Sequence, residues 1–337
     1  MTRVLGNNGP KVAPIGLGTM GMSDLYGPAD RAESIATIRA ALDAGVNLLD
    51  TGDFYGSGHN ELLIGEALRG RRREDVVISV KFGALRDPAG GWGGNDNSPR
   101  AVRNALAQTL KRLDVDYIDI HRPARLDQAV PIEDTVGAMA EMVRAGYIRH
   151  IGLSEVSVTT LRRAHAVYPI CDLQIEYSII SRGPDAMLPT LRELGVGLTA
   201  YGVLSRGLIS GHWTKAREAD QDFRAINPRF QGDNLDSNLA LVEKLRALAQ
   251  AKNVTVAQLA IAWVMAQGED IVPLVGARTR DRLSESLGAM AVQLSSADLA
   301  EIEGAVPPEA AAGQRYNAYL MQGLDSETTR SPTFADA

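Results

Sequence analysis

Cys171 is the single cysteine among 337 residues, so neither an intramolecular disulfide nor a multi-thiolate zinc or iron–sulfur site can form. Histidine is scarce too: His59, His121, His150, His165 and His212 are the full set, with no His-x-His pair. A metal hydrolase needs several such ligands converging, and no metal ligand is assigned. No apolar run approaches the roughly 18 residues of a membrane span, and the opening MTRVLGNNGP lacks the charged-then-apolar order of a signal peptide. No membrane insertion is expected, and a reducing cytoplasm fits best. The 35 basic residues are outnumbered by 41 acidic ones, a formal net charge of -6, and they form no basic block of the kind a nucleic-acid groove requires. Only six of the 35 are lysines, so a lysine inside an apolar run stands out.

Short apolar runs alternate with amphipathic stretches along the chain, and no composition break marks a linker. The runs that predict strands are Pro14 to Leu17, Val46 to Leu49, Val76 to Phe82, Tyr117 to Ile120, Ile148 to Leu153, Asp172 to Glu176, Gly197 to Tyr201 and Ile271 to Val275. Helical spacing falls between them, for example over Arg31 to Ala44, Ala101 to Leu113, Ile132 to Arg144, Val158 to Val167 and Ala186 to Leu194. Eight strand–helix units without a break favour an α/β fold closed as a (β/α)8 TIM barrel, one domain over residues 1–337. Asn8-Gly9 between two alternating stretches predicts an N-terminal β-hairpin over 1–12, a lid or plug. Two extra helices are expected, Asn238 to Ala251 and Ser296 to Gly304, and residues 307–337 read as a C-terminal tail over the barrel mouth.

In such a barrel, polar side chains at the C-terminal strand ends face the active-site mouth. Asp50 follows the second run, Lys81 interrupts VVISVKF, His121 follows YIDI, Ser154 and Glu155 follow IRHIGL, Gln174 lies in the sixth run and Tyr201 ends the seventh. An ammonium within an apolar run is costly unless a carboxylate pairs with it, and Asp50 is the natural partner of Lys81. Tyr55, five residues beyond Asp50, would then lie near that cation and become more acidic. An acidic Tyr beside a Lys–Asp pair and a neutral His describes carbonyl protonation. TGDFYGSG also matches the TGxxxGxG phosphate loop of short-chain dehydrogenases, but that motif follows a first strand and comes with Tyr-x-x-x-Lys, which none of the nine tyrosines provides. After the eighth strand, Gly276 turns the chain into a helix with Arg278 and Arg282 four residues apart. On one helix face they would offer two guanidinium forks to one phosphate.

The segments GLGTMGM, LLDTGDFYGSGHNE, VISVKFG, YIDIHR, GYIRHIGLSEV, LQIEYS, YGVLSRGLISG and RTRDRLSESLGA together resemble the aldo-keto reductases over nearly the whole chain. The resemblance implies a (β/α)8 barrel and NADPH (NADP+) as cofactor. It also implies a tetrad of Asp50, Tyr55, Lys81 and His121, with Tyr55 giving the proton and His121 orienting the carbonyl. By the same resemblance Tyr201 stacks on the nicotinamide, Ser154 and Gln174 hold its carboxamide, Gly18 and Thr19 meet its ribose side, and Asp50 is also counted among the cofactor contacts. Leu204, Ser205 and Gly207 form the pyrophosphate loop, and Gly276, Arg278 and Arg282, with Glu285 and Ser286, hold the adenosine end. Two arginines there imply NADPH over NADH.

The expected activity is reduction of a small-molecule aldehyde or ketone to the alcohol. Met22, Phe54, Trp92, Arg122 and Trp213 are the expected substrate walls, joined by Tyr26, Pro123, His212, Tyr316 or Tyr319. Arg122 beside His121 hints at an anionic substrate group, against the alternative of a salt bridge. Two other readings stand beside this one: an NADPH-binding redox-sensing subunit of a potassium channel, which uses the same barrel, and a barrel lyase using Lys81 as a Schiff base. No long exposed apolar stretch or heptad specifies an oligomer.

Overall fold

Eight parallel strands pair each with the next, and the eighth pairs back onto the first. They are β1 (Gly16–Gly18), β2 (Leu48–Gly52), β3 (Val77–Phe82), β4 (Ile118–Pro123), β5 (Ile148–Ser154), β6 (Ile170–Glu176), β7 (Gly197–Tyr201) and β8 (Ile271–Gly276). The coordinates are a computed structural model that describes residues 2–23, 25–214 and 222–327. Helices α1 (Arg31–Asp43), α2 (His59–Leu68), α3 (Pro99–Leu113), α4 (Ile132–Arg144), α5 (Val158–Val167) and α6 (Leu188–Leu194) follow the first six strands. The chain between β7 and β8 holds α7 (Gly232–Ala251) and α8 (Val256–Ala266), and β8 is followed by α9 (Arg280–Leu287), α10 (Ser296–Ala305) and α11 (Ala318–Gln322). The expected (β/α)8 barrel is therefore present, with α7 and α10 at the two places where extra helices were expected. Local signals set the helix starts: Ser98 caps α3 with Pro99 behind it, and Thr255 with Gln258 and Ser295 with Asp298 form capping boxes on α8 and α10. None of the helices described is long and apolar enough to cross a membrane.

The barrel interior is layered. At its N-terminal end, Leu48, Val77, Ile120, Cys171, Val272 and Leu274 form an apolar floor, sealed from below by Leu5 and Val12 of the N-terminal hairpin. That hairpin pairs Arg3–Val4 with Lys11–Val12, and Arg3 fastens it by donating to the carbonyls of Met265 (2.8 Å), Gly268 (2.9 Å) and Ile271. One step up, the layer turns polar. Arg122 Nη1 meets Asp172 Oδ2 at 2.8 Å and its Nη2 donates to Ser79 Oγ at 2.9 Å, with no exposed surface on either member of the pair. Gly152 is required beside them, because a Cβ there would lie 2.5 Å from Asp172 Oδ1.

Strand boundaries differ from the sequence reading where polar residues hide. β2 starts two residues late, since the Val46 amide still caps α1 through Ala41 O (2.9 Å), and it runs on through Asp50 to Gly52. β4 continues past Ile120 through His121, Arg122 and Pro123. Arg122 can occupy a strand there because Asp172 neutralises it inside the barrel. Residues 84–95 form a second hairpin, Ala84–Arg86 against Trp92–Asn95, which carries Trp92 to the mouth. The tail beyond Pro307 is described to Glu327, and its last ten residues, 328–337, lie outside the described residues.

Candidate active site

Asp50, Ser79 and Lys81 project inward from two neighbouring strands, where β2 pairs Asp50 with Ser79 and Gly52 with Lys81. Lys81 Nζ is ion-paired with Asp50 Oδ1, and Oδ2 accepts from Ser79 Oγ and from Gln174 Nε2, each at 2.8 Å. The carboxylate is thus held by three donors, two from β3 and one from β6. Lys81 Nζ lies 5.3 Å from the Tyr55 ring centroid. Tyr55 is positioned by a tight turn in which Gly56, Ser57 and Gly58 have φ of 55, 51 and 93°. A Cβ at Gly58 would sit 2.8 Å from Arg112 Cδ, so glycine is needed for both its backbone angle and its space. Burial first, and the Asp50 charge second, hold the Tyr55 phenol well above its ordinary range, while Arg125 and Arg122 draw it down. The expectation that Lys81 makes this phenol more acidic is outweighed by desolvation.

These groups line a cavity of about 740 Å³ that extends from Trp92 and Tyr316 past Tyr201 to Arg278 and Ser286. Two of its buried polar atoms have no hydrogen-bond partner among the described residues: Ser154 Oγ and Gln174 Oε1. Buried polar atoms are rarely left unbonded, and this pair offers a donor and an acceptor from adjacent strands. A primary carboxamide needs that combination, and the two atoms therefore fit a nicotinamide. Gly18, Thr19, Leu204, Gly207, Gly276, Arg282 and Glu285 also line the cavity.

The aldo/keto reductase family model matches residues 14–307. The chain belongs to the aldo-keto reductase family. It is 42% identical over 325 residues to "Probable aldo-keto reductase 1" of Glycine max, covering 95% of this chain and 92% of that one. Among solved structures it is similar to the glycerol dehydrogenase AKR11B4 from Gluconobacter oxydans (TM-score 0.82, 26% identity, 91% of this chain and 96% of that one). It is also similar to the aldo-keto reductase AKR11C1 from Bacillus halodurans in its holo form (TM-score 0.77, 26% identity, 91% and 96% covered). Aldo-keto reductases are oxidoreductases that act on carbonyl and alcohol groups of small molecules with a nicotinamide cofactor.

Within this aldo-keto reductase, five expected positions are corrected. His121 is not at the mouth. Arg122 points into the barrel, so strand alternation turns His121 outward, where its ring lies on Phe82 (centroids 4.2 Å apart) with no exposed surface. Burial pushes its imidazole down to about 3, and neither ring nitrogen has a hydrogen-bond partner among the described residues. The residue that faces the cavity after β4 is Ala124, followed by Arg125. Arg122 is the buried partner of Asp172, not a substrate contact. Met22 is 2% exposed and packs with Leu17 and Ile38 in the shell between strands and helices. Trp213 is 4% exposed, edge-on to Phe230 and covered by the Arg224 guanidinium, so Arg224 and not Trp213 reaches the cavity. Ser205 is buried beneath the loop that Leu204 and Gly207 present, its Oγ near Arg229 Nη1 (3.4 Å). Phe54 and Trp92 do form a wall, edge to face at 5.8 Å.

The arginine pair is also differently built. α9 begins at Arg280, so Arg278 stands in the turn before it and shares no helix face with Arg282. Arg278 Nη1 donates to the carbonyls of Tyr26 (2.9 Å) and Pro28 (3.2 Å), and Arg282 reaches Glu285 at 3.1 Å.

Two structural roles escaped the sequence. Asn60, fully buried, ties the ends of β1 and β2 together by accepting from Thr19 and Thr51 hydroxyls (2.6 Å each) and donating to Thr19 O (2.9 Å). Its place in the quoted GHNE was the available signal. Glu155, directly after Ser154, accepts from Arg315 Nη1 and Nη2 (2.9 and 2.6 Å), from the Tyr201 hydroxyl (2.6 Å) and from Ser326 Oγ (2.5 Å). This carboxylate is fully buried and fastens the tail across the mouth, where Tyr316 OH meets Tyr201 OH at 3.0 Å.

Proposed function

We propose that the protein reduces an aldehyde or ketone to its alcohol with NADPH, Tyr55 giving the proton. The observation that carries this reading is one cavity holding the phenol, the Asp50–Lys81 pair and the two unbonded buried atoms Ser154 Oγ and Gln174 Oε1. When bound, NADPH supplies the hydride. Ser154 Oγ, a donor, and Gln174 Oε1, an acceptor, would hold its carboxamide and so orient the nicotinamide toward the substrate. The Tyr201 ring, anchored through its hydroxyl to Glu155, provides the stacking surface. Arg278, which has no carboxylate partner among the described residues, and Arg282 would hold the 2′-phosphate and favour NADPH over NADH.

Tyr55 keeps its proton in the cavity because burial opposes the phenolate. Once the carbonyl carbon has received a hydride, its π pair rests on oxygen as an alkoxide, a far stronger base than a phenolate, so the proton passes from Tyr55 Oη to that oxygen. Lys81, held by Asp50, then faces the phenolate with a positive charge that needs no reorganisation.

Nicotinamide fluorescence titrations with NADPH and NADH, followed by a carbonyl panel, test the reading. NADPH binds more tightly than NADH, Arg278→Ala removes about tenfold of that preference, and Tyr55→Phe retains NADPH binding while losing at least about 100-fold in turnover. Absence of nucleotide binding, or full turnover by Tyr55→Phe, overturns it.

A further inference from the structure

The cavity's charged side chains are nearly all committed. Asp50 pairs with Lys81, Arg206 with Glu176, Arg224 with Asp222, and Arg282 with Glu285. Asp127 accepts from the amides of Asn97 and Ala129. Among the described residues, the two cavity guanidiniums without a carboxylate hydrogen-bonded to them are Arg278, at the β8 end, and Arg125.

Arg125 sits on the substrate side. Pro123 pairs with Phe82, next to Lys81, and the Ala124 amide donates to Phe82 O at 2.8 Å, so Arg125 leaves the barrel beside the proton donor. Its charge acts on Tyr55, Lys81, Tyr201 and Tyr316, and also on the Glu155 carboxylate, which makes its bidentate pair with Arg315 instead. Its single hydrogen bond among the described residues is from Nη1 to Ala124 O at 2.6 Å, which leaves most of its five N–H donors for the cavity. The lining residue that immediately precedes Arg125 is Ala124, whose methyl group cannot orient a carbonyl. Around them stand Phe54, Trp92 and Tyr316.

We infer that Arg125 is a substrate anchor, and that the preferred substrates are apolar or aromatic carbonyl compounds carrying a carboxylate. One uncommitted guanidinium balances one negative charge, and its planar fork matches a carboxylate bidentately. A phosphate dianion would call for a second free cation, and among the described cavity residues the other one is Arg278, at the far end. Holding the carboxylate fixes where the carbonyl lies relative to Tyr55, the positioning that Ala124 cannot give. The inference rests on the carbonyl-reductase reading.

The test uses a matched pair, 4-formylbenzoate and its methyl ester, with NADPH, wild type and the variants Arg125→Gln and Arg125→Lys. Alongside it, calorimetric titration of the NADP+-mixed protein with benzoate, benzamide and phenyl phosphate reads binding without turnover. Wild type favours the acid over the ester by about 10- to 100-fold in kcat/KM, mostly through KM, and binds benzoate over benzamide. Arg125→Gln brings both ratios close to one, and Arg125→Lys keeps an intermediate preference. Equal rates for acid and ester in wild type, or an equal loss on both in Arg125→Gln, overturns the anchor, the latter because Arg125 would then act on the shared carbonyl. Tighter binding of phenyl phosphate than of benzoate overturns the carboxylate assignment. Arg125-dependent benzoate binding with neither aldehyde reduced upholds the anchor and refutes the reductase reading instead.

Discussion

Replacing Asp50 by Asn removes one buried charge and little else. The Asn carbonyl can still accept from Ser79 Oγ and Gln174 Nε2, which lie 2.8 Å from Oδ2. Its amide then faces Lys81 Nζ, donor against donor, and an ammonium whose side chain is 8% exposed loses the carboxylate that neutralises it. Removing one member of a buried pair costs about 3–5 kcal/mol, because the survivor remains desolvated. For 337 residues, an unfolding entropy of about 2.1 cal/mol/K per residue amounts to about 0.7 kcal/mol/K, so Tm falls by about 4–7 °C. The double variant Asp50→Asn/Lys81→Met, with no orphaned charge, regains at least about half of that loss. The deficit of the single variant also shrinks as pH rises toward about 10, where the unfolded chain's lysine gives up its proton as well. Differential scanning calorimetry of the nucleotide-free protein at neutral and alkaline pH measures all three quantities. A single variant within about 1 °C of wild type, or a double variant no more stable than the single, would refute the claim that Asp50 is there to hold a charged lysine.

Two further substitutions probe the surroundings. Burial, and then the charge of Glu61, push the Asp53 carboxyl up to about 7, and its Oδ1 has no hydrogen-bond partner. Its folded pKa lies above the unfolded value, so stability is lost as pH climbs from about 4 through 7. Asp53→Asn therefore raises Tm by several degrees at pH 8 and far less at pH 4.5, and equal shifts at both values would sink the argument. Arg315→Met leaves Glu155 buried without its bidentate partner. It lowers the urea midpoint by the equivalent of about 3 kcal/mol, which Glu155→Gln in the same chain recovers in part. Unchanged midpoints in both variants would show that the ion pair does not hold the tail.

Asp50 and Lys81 were legible because charged groups beside or within apolar runs demand a partner, and the simplest partner was correct. Ser154 and Gln174 were legible only through the family pattern, since an amide inside a strand is equally well a satisfied core group. His121 misled because the apolar run stops at Ile120, and a histidine just after such a run resembles a strand end. The period of two held the contrary signal: Ile120 and Arg122 share a face, so His121 cannot share it with them. What no local pattern carries is the Asp172 partner 50 residues away that lets Arg122 stay inside. Ala124 gave no signal, since a methyl group at a catalytic corner is an absence of chemistry. Met22 and Trp213 show the same limit for apolar residues, which suit a pocket wall and a packed core equally.

The Glu155–Arg315 clamp has a consequence for engineering. Swapping tails among related barrels is an obvious way to change which substrates are admitted, and it treats the tail as a detachable module. Here the receiving wall and the lid hold opposite halves of one buried charge pair, 160 positions apart in sequence. A foreign tail without a cation at 315 strands a carboxylate next to Ser154, while a neutral residue at 155 strands Arg315 under the tail. Grafts that exchange both positions together are the ones that keep the mouth closed and the Tyr201 ring in place.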